Sequence, residues 1–447
     1  MRVALLTRAV FPLHGYGGLE RHVYDLARAL VERDVDVTLI TPPPRDPALT
    51  AASIHPAIKA EFIPYRTFPL AGRRGTTVLD RSTAYPLWGL RAGRRALELV
   101  RERRVDIVHG FGASVLGYAW ARLRARAHDP GASAGQARPH ARTDDPGASA
   151  GQAAFHARLA GATAPLVMNP QGLEEFGSTD AARAPLKVAA YLPLRRVVRI
   201  CAAAADAVIA TDRALEPYVL SHLGIPRERM ATIPNALDLR TLDADTDPAM
   251  IAHLRHHHDV ALGERILLSV GRLEASKGFH VLVRALAAVR DHGALDSRPW
   301  RWVALGDGPY RPMLDMAASE LGLEPHVRFL GRVTDKEMHA WHELATLFVH
   351  PTLYEGSSLV TLEAMAHRRP VVASAAGGIP DKVRPGENGW LVPPGDPSAL
   401  AAAISGAVGD PARLARYGLA GRDIVEREFS WTAAGDATVA LYRRLLG

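Results

Sequence analysis

The sequence predicts an α/β protein built from two doubly wound domains, each a parallel sheet covered by helices. Three observations lead there. Short apolar runs alternate with amphipathic stretches along most of the chain. The runs are apolar at consecutive positions, as strands buried on both faces require. The alternation then restarts after a polar join, IPNALDL (233–239) followed by DADTDP (243–248).

The first element is the apolar run 3–6. A glycine-rich turn, HGYGGLE (14–20), leads into a stretch where Leu19, Val23, Leu26, Ala27 and Leu30 recur at helical spacing. VDVTLIT (35–41) is the next strand, which closes a βαβ unit. DIVHG (106–110), APLVMN (164–169) and DAVIAT (206–211) read as further buried strands, with helices at 87–104 and 191–204 between them. In the back half, RILLSVG (265–271) runs into a helix over about 278–290. WVALGDG (302–308) precedes a helix from about 310, and VRFLG (327–331) one from about 335. LFVHP (347–351) leads into SSLVTLEAMA (357–366), and PVVAS (370–374) follows. The domains are therefore set at 1–235 and 236–430, with a last segment at 431–447. One stretch stands outside the pattern: DPGASAGQARPHARTD (129–144) is nearly repeated as DPGASAGQAAFHARLA (145–160). Rich in Gly, Pro, Ala and Ser and without an apolar face, 129–160 reads as a duplicated low-complexity insertion.

Composition narrows the function classes. With 48% hydrophobic and 23% charged residues, the 447-residue chain is neither mostly disordered nor a coiled coil. A single cysteine, Cys201, excludes a disulfide scaffold and any Cys-based zinc site within one chain, and points to a reducing cytosol. The opening MRVALLTRAV is broken by Arg8 too early for a signal peptide, and no run approaches the ~18 apolar residues of a membrane span. The expected location is cytoplasmic, with peripheral contact at the inner face of the plasma membrane. Charge is uneven: residues 1–200 carry +11 and residues 201–447 carry −4, which sum to the +7 of the chain. The basic half suits an anionic lipid surface or a phosphorylated substrate. Arg91, Arg94, Arg95, Arg101, Arg103 and Arg104 concentrate it on one helical stretch. No pattern of stacking aromatics accompanies the charge, so nucleic acid is not an expected partner.

Two motifs carry chemistry. YEGSSLVTLEAMA (354–366) places Glu355 and Glu363 eight residues apart, around Ser357 and Ser358 at a helix start. Such a helix end presents free N–H groups that hold phosphate. On a helix that spacing spans about 12 Å. A retaining glycosidase pair needs roughly 5 Å, so the two carboxylates suit different parts of one extended ligand. In SVGRLEASKGFHVL (269–282), Arg272 and Lys277 follow the carboxyl end of a strand, where open α/β sheets bind ligands. A pyrophosphate is their natural partner. Alone they read as a solvated loop; the neighbouring glutamate motif reverses that. GDGP (306–309) and HGYGGLE are weak signals. Glu20 stands where a G-x-G-x-x-G fingerprint needs glycine, and no G-x-x-x-x-G-K-[ST] loop occurs. HLRHHH (253–258) reads as a solvated tract, and no metal site is expected.

Together these strings resemble glycosyltransferase family 4, retaining enzymes of the two-domain GT-B fold. VGRLEASKG, LGDGP, VRFLGRV, FVHPTLYEGSSLVTLEAMAHRRPVVAS, GGIPD and NGWLVPPGD occur in the family's order, with GGLERH near the front and IPNALD at the join. The resemblance implies two Rossmann-like domains facing each other across a cleft. It makes Arg272, Lys277 and Glu355 catalytic, with His109 beside them. Arg272 and Lys277 would bind the donor pyrophosphate and Glu363 the ribose. Glu355 would lie near the transferred sugar, among backbone amides of Gly356, Ser357, Ser358 and Leu359. Leu330 to Val333 would border the base, near Gly306. Gly17 and Gly18 would admit the donor phosphates, while Glu20, Arg21, His109 and Phe111 would face the acceptor. The family often carries His-x-His where this chain has VHGFG, so Phe111 replaces the second histidine. Arg369 stands where the family usually has glycine before proline, a change expected to be a tolerated turn. The stretch 429–447 resembles a last helix that crosses back to the first domain, anchored by Trp431.

The function this implies is transfer of a sugar from a UDP- or GDP-linked donor to a hydroxyl acceptor, with retention. No cofactor beyond the donor co-substrate is implied. Arg272, Lys277 and the helix end can neutralise the leaving diphosphate without a metal, and the chain has no Asp-x-Asp string. Glycolipid, polysaccharide or related envelope synthesis is the expected setting, with an acceptor that can be lipid-linked. The rival readings are a nucleotide-sugar epimerase and a non-catalytic nucleotide-sugar-binding protein on the same fold.

Overall fold

The computed structural model describes residues 1–15, 17–67, 77–128, 163–171, 173–176, 189–295 and 297–447. The duplication at 129–160 lies outside the described residues. The chain divides into two compact units. The first comprises Met1–Ala210, Glu216–Ile233 and Gly435–Gly447, and the second Thr211–Leu215 and Pro234–Ala434.

Among the described residues the first unit holds a seven-stranded parallel sheet. Its strands are β1 (Arg2–Leu6), β2 (Asp36–Thr41), β3 (Lys59–Phe62), β4 (Ile107–Phe111), β5 (Leu166–Asn169), β6 (Ala207–Ala210) and β7 (Met230–Thr232), in the order β3-β2-β1-β4-β5-β6-β7. The order reverses at β1, which pairs with β2 on one side and β4 on the other. β1, β4, β5 and β6 are buried almost throughout, which is why their sequences are continuous apolar runs. The edge strand β3, KAEF, is half-exposed and has no such run, so its sequence carries no strand signal. Helix α1 (Gly18–Val31) buries His22, Val23, Leu26, Ala27, Ala29 and Leu30. Helix α2 (Thr77–Ser82) precedes α3 (Ala84–Arg101), which buries Trp88, Ala92, Ala96 and Leu99 along one face, and α4 (Leu116–His128) follows β4.

The second unit holds six parallel strands: β8 (Arg265–Val270), β9 (Trp300–Leu305), β10 (Val327–Gly331), β11 (Leu347–His350), β12 (Val371–Ser374) and β13 (Gly389–Val392), in the order β10-β9-β8-β11-β12-β13. The order reverses between β8 and β11, where Leu347 stands beside Leu267. A crevice outside the carboxyl ends of strands at such a reversal is where open α/β sheets place ligands. Trp302, Phe279, Leu282 and Leu286 centre one core layer, and Trp341, Phe348, Leu362 and Met365 the other.

The last helix, α5 (Trp431–Leu446), starts in the second unit, and its residues from Gly435 belong to the first. There Tyr442 is fully buried and Arg33 pairs with Asp436 at 2.7 Å.

Candidate functional site

The site in the second unit forms where the chain leaves β8 and β11. After β8 a single 3-10 turn, Ala275–Lys277, ends at Gly278 with φ +67°. A Cβ at Gly278 would stand 2.0 Å from the Pro351 carbonyl oxygen, so no other residue fits without a shift. The turn is tied to the segment after β11: Leu353 N donates to Ser276 O at 2.8 Å, and Thr352 Oγ1 to the same oxygen at 3.2 Å. This zipper sets Lys277 Nζ 2.7 Å from Glu355 Oε2.

Glu355 Oε2 also lies 3.0 Å from His350 Nε2 at the end of β11. Burial raises the Glu355 carboxyl, but the His350 hydrogen bond and the charge of Lys277 outweigh it and bring it down to about 2. Burial holds the His350 imidazole below its usual value, with Glu355 opposing. The neutral ring therefore donates its Nε2–H to the carboxylate, and the buried Nδ1 has no partner among the described residues. Glu355 is thus an anion already satisfied on one oxygen by a cation and an imidazole.

Four residues on, helix α6 (Leu359–Ala366) begins. Ser358 is its N-cap, accepting from Thr361 N and sharing a 2.8 Å contact with Thr361 Oγ1. Glu363 sits mid-helix, half-buried. The loop 355–358 is braced from behind, with Gly378 N donating to Gly356 O at 2.8 Å. Lys382, wholly buried, bonds Ser357 Oγ and Gly378 O, each at 3.2 Å, and the buried Asp212 carboxylate. Burial pushes the Asp212 carboxyl up, and Lys382 pulls it back.

Arg272 is not in this cluster. Its side chain is 75% exposed and pairs with Glu274 at 2.6 Å. Gly306, after β9, packs on the same strand end: a Cβ there would meet Gly271 O at 2.0 Å, and Gly306 N donates to Gly331 O at 2.7 Å. Leu330 and Val333 are half-buried against the core of this unit. Gly356 and Leu359 are half-buried beside Glu355 and Ser358.

The first-unit residues form a separate group. His109, near the end of β4, is 1% exposed, with Nδ1 2.6 Å from Tyr442 Oη. Burial, then the neighbouring His22, drives its imidazole down to about 3. Phe111 stacks on it at 5.4 Å and meets His22 edge-on at 5.7 Å. Gly17 and Gly18 are exposed at the start of α1; a Cβ at Gly18 meets nothing within 4 Å, whereas one at Gly17 would stand 2.3 Å from the Glu20 carboxylate. Arg21 lies over the Phe11 ring at 4.9 Å.

Residues 264–410 match the family description Glycosyl transferases group 1, and residues 16–132 match Glycosyltransferase Family 4. The chain belongs to glycosyltransferase family 4. Among its relatives, an alpha-D-kanosaminyltransferase of Streptomyces kanamyceticus is 31% identical over 54% of this chain and 61% of that protein. A D-inositol 3-phosphate glycosyltransferase of Catenulispora acidiphila is 34% identical over 54% and 58%. The matches therefore span about three fifths of these curated relatives. A solved sucrose-phosphate synthase from Thermosynechococcus elongatus superposes with a TM-score of 0.68 at 24% identity, covering 99% of this chain and 98% of that one. The Anabaena protein HepE in complex with UDP gives 0.68 at 20%, covering 99% and 100%. The fold is GT-B.

Within this family 4 chain the structure brings together Lys277, Glu355, Gly356, Ser357 and Ser358, and leaves Arg272 on an exposed loop. Sequence reasoning missed His350 and the Lys382–Asp212 pair. His350 was legible as the single polar residue closing an apolar strand. Lys382 was visible only as a cation in an otherwise ordinary turn, because its partner Asp212 lies 170 residues away. Arg369 is not a simple turn change: it is half-buried, paired with Glu343 at 2.9 Å and bonded to Ala345 O at 3.0 Å. Glu343 also bonds His367 at 2.7 Å, so the arginine closes a buried polar network that glycine cannot supply. In HLRHHH, His253 stacks on His257 at 5.7 Å and His258 lies against Trp341. The described residues contain no group of three or more His, Cys, Asp or Glu able to hold a metal ion.

Proposed function

We propose that the protein is a retaining glycosyltransferase that moves a sugar from a UDP- or GDP-linked donor to a hydroxyl acceptor without a metal ion. The observation that carries this is the Lys277–Glu355–His350 cluster, set beside the N-terminus of α6 at the reversal of the second sheet. Cleaving the sugar–phosphate bond builds charge on the leaving diphosphate. Lys277 and the free N–H groups of α6 supply fixed positive charge for it. Arg272, held among the described residues by an exposed pair with Glu274, can swing onto the same group. Glu355, kept ionised by its two neighbours, accepts hydrogen bonds from sugar hydroxyls and steadies positive charge developing at the anomeric carbon. Glu363 takes the ribose.

The reaction we infer runs on one face of the sugar. The acceptor oxygen bonds to the anomeric carbon as the bond to the phosphate oxygen breaks. The acceptor proton passes to that departing oxygen, the base nearest to it. Configuration is retained without a covalent nucleophile. His109, sealed against Tyr442 and Phe111, is assigned a structural part. The names of the relatives support sugar transfer, and the solved HepE complexes with UDP and UDP-glucose support a UDP-linked donor.

We further infer an acceptor in envelope glycolipid or polysaccharide synthesis, reached by peripheral contact with an anionic membrane. Leu87, Arg91, Arg94 and Arg101 lie exposed at helical spacing on α3, while Arg95 and Arg104 are taken by Glu61, Glu98 and Glu102. No described helix is long and apolar enough to cross a membrane. Co-sedimentation with anionic vesicles at low salt, lost at high salt, is expected; no binding removes this part.

The test of the main reading is thermal stabilisation by nucleoside diphosphates and their sugars, with and without EDTA. One base family is expected to raise the melting temperature by mass action, unchanged by EDTA. No shift with any nucleotide defeats the reading. NMR of the product's anomeric proton decides retention.

A further inference from the structure

A cavity of about 560 Å³ opens in the first unit at the carboxyl ends of β1, β2 and β3. Its charged and polar walls include Arg8, His14, Glu20, Arg45, Tyr65 and Asp80. Most of these groups are already committed. Tyr65 donates its hydroxyl to Asp80 at 2.7 Å. Glu20 folds its carboxylate back over the backbone at Gly17. His14 accepts from Val10 N at 3.1 Å and meets Pro42 O at 3.0 Å, so both ring nitrogens are used by backbone.

The two arginines differ. Arg8 is half-buried, and its guanidinium lies over the Tyr85 ring at 5.3 Å. It has no ion pair or hydrogen bond to any described residue. Arg45 is exposed at the rim and also has no carboxylate partner among the described residues. A partly desolvated guanidinium presents five donors in a rigid fork, and leaving them unmatched is costly. That cost falls on Arg8, whereas Arg45 is hydrated at the rim and adds a second positive charge; with the neighbouring carboxylates engaged elsewhere, the pair asks for an anion from outside.

We propose that this cavity is the acceptor site and that Arg8 and Arg45 read an anionic group, a phosphate or a carboxylate, on a hydroxyl-bearing acceptor. The word acceptor rests on the transferase reading above; the anion site does not. Glu20 and Tyr65 are then placed to meet the acceptor's hydroxyls. The cavity's size suits one sugar or polyol unit carrying its charged substituent. The same group can come from a free sugar phosphate or from a phospholipid headgroup.

The test uses the full chain with glucose 6-phosphate against glucose, and vesicles of phosphatidylcholine with and without phosphatidic acid. Calorimetry is run on the parent, on Arg8→Gln with Arg45→Gln, and on Lys277→Gln. Glucose 6-phosphate is expected to bind where glucose does not, about tenfold or more weaker in the double arginine variant and unchanged in Lys277→Gln. Stabilisation by nucleotide should be unchanged in the arginine variant, which shows that it is folded. If only the phosphatidic acid vesicles show the arginine dependence, the site stands and its source is a lipid. Anion binding that survives loss of both arginines, or disappears with Lys277, overturns the proposal. So does absence of binding by both probes. Arginine-dependent binding without sugar transfer to any acceptor leaves the anion site and removes the transferase. Transfer to neutral acceptors, indifferent to both arginines, does the reverse.

Discussion

Glu355 shows how a single residue is tuned. Its carboxyl is buried, which alone favours the neutral form, yet one cation and one imidazole hold it ionised with a folded value of about 2. A carboxyl depressed on folding stabilises the protein fully above its ordinary value and loses that contribution as pH falls towards the folded value. The stability difference between the parent and Glu355→Gln should therefore shrink by about 2 kcal/mol between about pH 6 and pH 3. Urea unfolding of both proteins across that range measures it. A difference that does not change with pH means the carboxylate is not held by Lys277 and His350. At neutral pH the same variant should turn over at least about a hundredfold more slowly, read from initial rates under saturating donor. The glutamate was legible in the sequence because it belongs to a string of specific residues. Its depressed titration was not, since Lys277 lies 78 positions away and reaches it only through the pairing of β8 with β11.

At the scale of elements, the strand–turn–helix after β8 carries the most information. Its signal in the sequence is a buried run ending in glycine, then a lysine followed by a second glycine. The structure explains the second one: left-handed backbone and a carbonyl 2.0 Å from the place of a Cβ. Gly278→Ala should destabilise the protein by about 2–4 kcal/mol and weaken nucleotide binding together, because the turn that aims Lys277 must move. Denaturant melts paired with nucleotide titrations check it. Normal binding in a destabilised variant would separate the turn from the site. Buried strands were read at nearly their full extent, because burial on both faces leaves no polar positions. Edge strand β3 was invisible for the opposite reason: half of it faces water and its sequence is KAEF.

For the whole molecule, the chain's last segment is counted with its first unit. Tyr442 is wholly buried there, and its hydroxyl is the partner of His109 on β4. Deleting 435–447 removes that ring and leaves His109 buried without its partner. The loss should be at least about 3–5 kcal/mol for the aromatic side chain alone. It should appear as early unfolding of the first unit, followed by tryptophan emission from Trp88 or by limited proteolysis. A truncated chain whose first unit melts like the parent's would show that the helix is dispensable there.

The sequence by itself determined the fold class, the alternation of strands and helices, and the string that places Lys277, Glu355 and Ser358 at strand ends. These are local properties, because burial on two faces and helix starts leave marks within a few residues. Only the tertiary structure decided which of those residues meet. It joined Lys382 to Asp212, and His109 to Tyr442, across 170 and 333 positions. It left Arg272 in solvent and Arg8 with the Tyr85 ring but no hydrogen bond or ion pair among the described residues. The physical reason is that a charge's value depends on what desolvates and pairs it. Those neighbours come from strand order, which no local pattern encodes.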